Sequence, residues 1–100
     1  MSSMFDFYIH VKCIPSCETD MVYSAVRDYL PVDGDDYAES IGEWTMWSSN
    51  VNLSGSAEDY ASDINDAIAR ALGREVPVRV QVTYVEEAPT DNFDYGGFND

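Results

Sequence analysis

Apolar and polar residues alternate from Phe5 to Ile14 (FDFYIHVKCI). Phe5, Phe7, Ile9, Val11 and Cys13 fall on one face, and Asp6, Tyr8, His10 and Lys12 on the other. A period of two marks a half-buried strand, and Pro15 ends it. From Thr19 to Leu30 the period changes. Val22, Ala25, Val26 and Tyr29 follow the i, i+3, i+4, i+7 rule of an amphipathic helix. Ser16 is placed to cap it, with Glu18 and Asp20 in the favourable first turn. Pro31 closes it.

Val32 to Ser40 (VDGDDYAES) reads as a turn-rich acidic loop. Glu43 to Leu53 (EWTMWSSNVNL) is rich in strand formers. There Thr45, Trp47, Ser49, Val51 and Leu53 share one parity, and Trp44 and Met46 the other. The serines and Asn50 blur that pattern, so one bulged strand and a hairpin near Ser48 to Asn50 both fit. Ser54, Gly55 and Ser56 form a turn. Ser56 followed by Asp59 makes a near capping box. Tyr60, Ile64, Ala67, Ile68, Ala71 and Leu72 then form an apolar helical stripe, and Gly73 follows Arg70 where a helix-ending glycine belongs. Val76 to Glu86 alternates again, with Val76, Val78, Val80, Val82 and Tyr84 opposite Arg79, Gln81 and Thr83. Ala88 to Asp100 (APTDNFDYGGFND) shows no period and reads as irregular or mobile.

The order β-α-β-α-β predicts an α+β two-layer sandwich. Two helices cover one face of a three- or four-stranded antiparallel or mixed sheet. Residues 1–88 form the single domain and 89–100 an acidic, aromatic tail. Tyr8, His10, Lys12, Arg79, Gln81 and Thr83 are expected on the open sheet face.

Charge changes the picture most. Nineteen Asp and Glu stand against five Lys and Arg, a formal charge of −14 over 100 residues. A comfortable small domain carries a magnitude of roughly 2 to 8. Repulsion argues against direct binding to nucleic acid or an anionic membrane. No apolar run approaches the ~18 residues of a membrane span. Met1 to Asp6 lacks the basic stretch and apolar core of a signal peptide, so a cytoplasmic location is expected.

Asp59, Asp63 and Asp66 lie at i, i+4 and i+7 on the second helix, with Glu58 beside them. Like charges at i+4 cost roughly 0.2–0.5 kcal/mol per pair, and Arg70 is the first basic residue the stripe meets. Phosphates along one nucleic-acid strand repeat every few ångströms, a spacing that a row of helical carboxylates approximates. With Asp33, Asp35, Asp36, Glu39 and Glu43 from the acidic loop, the stripe makes a two-part negative surface suited to a basic nucleic-acid-binding protein. Two blander readings compete. One is a solvated face. The other is adaptation to molar salt, which screens self-repulsion and matches the single Lys and abundant Asp. In the tail, Asp91, Asp94 and Asp100 alternate with Phe93, Tyr95 and Phe98, a mixture that suits arginine by pairing and stacking.

No catalytic signature is present. His10 has no identifiable nucleophile partner, and no glycine-rich phosphate loop occurs. Solvated carboxylates keep ordinary pKa values and make poor catalysts. His10, Cys13 and Cys17 supply at most three ligands at non-standard spacing, so no metal is expected. The two thiols are expected reduced. The reading is of a non-enzymatic protein without cofactor, a monomer or weak dimer.

In size, acidity and lack of catalytic motifs the chain resembles the small acidic inhibitors that phages encode, the anti-CRISPR and anti-restriction proteins, several of which mimic DNA. The resemblance is one of overall character and carries over no residue. It implies an inhibitor that binds a Cas or restriction-system protein in the host cytoplasm and blocks nucleic-acid access. The alternatives are an immunity protein or antitoxin that masks a basic toxin, and an ordinary domain of a salt-adapted organism.

Overall fold

The computed structural model describes residues 4–30, 37–52, 55–85 and 90–98. Its centre is strand β1 (Met4–Lys12). On one side lie β3 (Glu43–Asn52) and then β2 (Tyr37–Ser40); on the other lie β4 (Val78–Tyr84) and then β5 (Thr90–Tyr95). All neighbouring pairs are antiparallel. Helices α1 (Thr19–Arg27) and α2 (Ala57–Leu72) pack side by side on one face. The α+β class is therefore as the sequence indicates. The count and order differ: among the described residues, five strands in the order β-α-β-β-α-β-β replace three or four in β-α-β-α-β.

Both added strands come from segments without apolar alternation. Tyr37–Ser40, expected in the acidic loop, is an edge strand of which only Tyr37 reaches the core. It joins β3 through Ile41 and Gly42, whose φ of 76° suits a residue without Cβ. Thr90–Tyr95, expected to be irregular or mobile, pairs with β4 from Thr83↔Thr90 to Val78↔Tyr95. The sheet thus runs past the expected boundary at residue 88. An edge strand takes its hydrogen bonds from one neighbour and needs few apolar residues, and here Phe93 and Tyr95 are enough to join the core.

Segment 43–52 is one strand, not a hairpin. Phe5 faces Val51 and Phe7 faces Ser48, so Asp6 is matched by two residues, Ser49 and Asn50. The result is a β-bulge, with Asn50 at φ 56°. It reverses the side-chain parity. Trp44, Met46 and Ser48 point inward before it, and Val51 points inward after it.

Cys13, expected on the apolar face of β1, is exposed at φ 62°, and Ile14 is buried in its place. Ser16 does not cap α1. It opens a single 3-10 turn (Ser16–Glu18), and the Thr19 hydroxyl donates to its carbonyl at 2.9 Å. Helix α1 stops at Arg27, so Leu30 is buried while Tyr29 stays exposed. Helix α2 follows its sequence signals. Ser56 Oγ accepts from the Asp59 N–H at 3.1 Å, and Gly73, at φ 75°, donates its N–H to Ala69 at 2.9 Å.

One apolar cluster joins the layers. Tyr60 of α2 packs on Phe7 of β1. Tyr23 of α1 meets Tyr37 edge-on at 5.0 Å, and Tyr37 stacks on Trp44. Helix α1 therefore covers the β2–β3 side, and α2 packs towards β4 and β5.

Candidate functional site

Glu58, Asp59, Asp63 and Asp66 all stand exposed on α2. Their position follows from the apolar stripe. Ala61, Ile64 and Ile68 must face the sheet, which turns the acidic positions outward. Asp59, Asp63 and Asp66 rise along the helix in steps of about 6 and 4.5 Å. Among the described residues none of the four carboxylates takes part in an ion pair. Glu58 and Asp66 also act inward. The Tyr95 hydroxyl has its pKa raised, first by burial and then by these two charges.

Two of the four arginines are paired with acids away from the stripe. Arg74 reaches Glu18 with two hydrogen bonds, one of 2.9 Å. The pair holds the Glu18 carboxyl below its ordinary range and raises the Arg74 pKa, mainly through hydrogen bonding. Arg79 grips Asp94 through two hydrogen bonds, at 2.6 and 3.1 Å, and lowers the Asp94 pKa in the same way.

The two described loop acids, Glu39 and Glu43, do not join the α2 stripe. Glu39 is exposed on β2, at the far edge of the sheet from β5. Glu43 lies on the open sheet face, opposite Lys12 and 3.3 Å from His10. Asp33, Asp35 and Asp36 lie outside the described residues. Of the six described acids among those expected to form the two-part surface, the structure brings together the four on α2.

The open sheet face holds what the sequence pattern did not reveal. After β5, Gly96 and Gly97 turn the chain at positive φ. A Cβ on Gly96 would lie 2.1 Å from the Val76 carbonyl oxygen, so only glycine fits. The turn lays Phe98 back on the sheet, 6% exposed. The Lys12 ammonium and the Arg79 guanidinium lie 4.6 and 4.5 Å from its ring centre. His10 meets the ring edge-on at 5.2 Å. Cation–π attraction and burial together anchor this terminal segment. Asp94 and Phe98, placed in a tail suited to a partner's arginine, instead engage this chain's own Arg79. Beside this cluster, the cross-strand pair Tyr8 and Trp47 is exposed by 39% and 41%.

Cys13 and Cys17 are both free and exposed. Among the described residues, no group of three or more His, Cys, Asp or Glu is arranged to hold a metal ion. Nor, among them, is any helix long and apolar enough to cross a membrane. Compared with models of known families, with curated proteins and with solved structures, the chain matches none.

Proposed function

We propose that the protein is a non-enzymatic, acidic inhibitor that presents the outer face of α2 to the basic, phosphate-binding groove of a host-defence protein. One observation carries this reading. Glu58, Asp59, Asp63 and Asp66 stand exposed on one helix, with no ion pair to any described residue, while Arg74 and Arg79 are paired to acids elsewhere. An unpaired carboxylate row repels itself at a cost to the helix, and a row of Lys and Arg on a partner offsets that cost. Charge of this kind steers association and sets its salt dependence. The general resemblance to phage-encoded inhibitors points to a Cas or restriction-system protein as the partner class.

The test is competition. Purified Cas effectors and restriction enzymes are assayed for nucleic-acid binding with and without the protein, across a salt series. Displacement of nucleic acid that weakens as salt rises is expected. A triple variant, Asp59→Lys, Asp63→Lys and Asp66→Lys, should lose that displacement while keeping its fold. Unchanged displacement by the triple variant would reject the mechanism.

A further inference from the structure

Helices α1 and α2 do not close against each other along their outer edges. Between them runs an open groove of about 830 Å³. Its floor is made of small side chains, Ala25 from α1 with Ala67 and Ala71 from α2. Small residues between two helical ridges leave room for the side chains of a third helix. On the α1 side the groove is lined by Met21 and Tyr29, 42% and 37% exposed. Met21 and Tyr29 thus leave apolar surface in water beside the groove, and the flexible thioether of methionine adapts to varied partners.

Charge selects the occupant. Asp20, Ser24 and Asp28 follow one another at i+4, so two carboxylates run along the α1 bank. On α2, Asp63 stands exposed one turn before Ala67. Among the described residues of the lining, Arg70 is the one basic side chain. A second copy of the chain would bring −14 against −14. A helix with an apolar stripe flanked by Lys and Arg brings the opposite sign to the α1 bank and to the chain as a whole.

We propose that the α1–α2 groove receives a basic amphipathic helix of the partner protein. Apolar side chains of that helix enter over Ala25, Ala67 and Ala71 alongside Met21 and Tyr29, and its Lys and Arg face Asp20 and Asp28. The inference rests on the binding role proposed above and adds an apolar anchor that charge alone does not supply. This is the helix-in-groove mode of recognition.

The probe is a labelled peptide of about 18 residues, long enough to form helix on binding. It carries Leu at i, i+3, i+4 and i+7, with Lys on the flanks. Its controls are a scrambled peptide of the same composition and one with every Lys changed to Glu. Fluorescence anisotropy at ~0.15 and ~0.5 M salt separates screened charge from apolar contact. The patterned peptide should bind about tenfold more tightly than the scrambled one, a difference of about 1.4 kcal/mol, and should keep that advantage at high salt. The double variant Met21→Glu, Tyr29→Glu should lose the advantage with its circular dichroism unchanged. Asp59→Lys with Asp66→Lys should preserve it. Equal binding of the scrambled or acidic peptide would overturn the proposal, as would an unaffected groove variant. Self-association abolished by the groove variant would assign the groove to a second copy and overturn it as well. Loss of the groove effect while nucleic-acid displacement persists removes this inference alone. Loss of displacement on reversing the α2 acids tests the charge reading separately.

Discussion

The Asp6 carboxylate accepts a hydrogen bond from the Asn50 backbone N–H at 3.0 Å, across the bulge between β1 and β3. The bond holds the one place where β3 carries an extra residue. It thereby sets the register that returns Val51 to the core. Asn tolerates the left-handed conformation at position 50, whereas a β-branched residue there is strained. Asn50→Val should cost about 1–3 kcal/mol. Asp6→Ala should cost roughly 0.5–1.5 kcal/mol for the lost hydrogen bond. Urea unfolding of both variants measures this, and values near zero would show that the bulge needs neither residue.

Phe98 ties β5 and the terminal turn to the open face. Phe98→Ala should cost about 1.5–3 kcal/mol, the value of burying such a side chain. Hydrogen exchange adds a local readout. The amides of Thr90–Tyr95 should exchange faster in the variant, while those of α2 follow only the global change.

Reversing one α2 charge separates folding from binding. Asp63 lies four residues after Asp59 and three before Asp66, so Asp63→Lys turns two repulsions into attractions. It should stabilise the fold by about 0.2–0.5 kcal/mol per pair and at the same time weaken partner binding. A variant that is more stable and less active would mark the stripe as selected for binding. One with stability raised and activity kept would mark it as solvated surface.

The pH response has a sign on each limb. Glu18 and Asp94 have folded pKa values below their unfolded ones, because Arg74 and Arg79 hydrogen-bond the carboxylates. Their contribution is present above the ordinary carboxylate range near ~4 and is lost as pH falls through the lowered values. Solvent exposure keeps it small. Tyr95 has a raised pKa through burial and the charges of Glu58 and Asp66. Folding disfavours its phenolate, so stability falls as pH rises past ~10. Glu18→Gln and Asp94→Asn should flatten the acid limb of a denaturation series, and Tyr95→Phe the alkaline limb.

Salt should stabilise the folded chain. Self-repulsion at −14 outweighs two exposed Arg–carboxylate pairs. Raising NaCl from ~0.02 to ~1 M shortens the screening length from tens of ångströms to about 3 Å, and the melting temperature should rise. Folding that survives at the low end separates a functional charge from adaptation to molar salt, which demands that salt for folding.

Local signals placed α2 well. Ser56 and Gly73 bound it, and its stripe fixes which side is acidic. Strands β1 and β4 were equally plain in their alternation. Strands β2 and β5 were hidden because an edge strand takes its hydrogen bonds from a neighbour and needs little periodicity of its own. Met21 lies off the apolar stripe of α1, so its part in the groove had no signal. Tyr29 keeps the spacing of the α1 stripe, but the helix ends before it. Phe98 left one trace, an aromatic just beyond a Gly-Gly pair.

By itself the sequence determined the charge, the class of fold, the ends of α2 and the carboxylate row along its outer side. All of these depend on residues close in the chain, where spacing and side-chain chemistry suffice. Tertiary structure alone decided which acids share a surface, that Glu43 faces Lys12 across the open sheet, and that α1 and α2 leave a groove between them. Those relations depend on strand order and register, which are set by hydrogen bonding and packing between segments far apart in sequence.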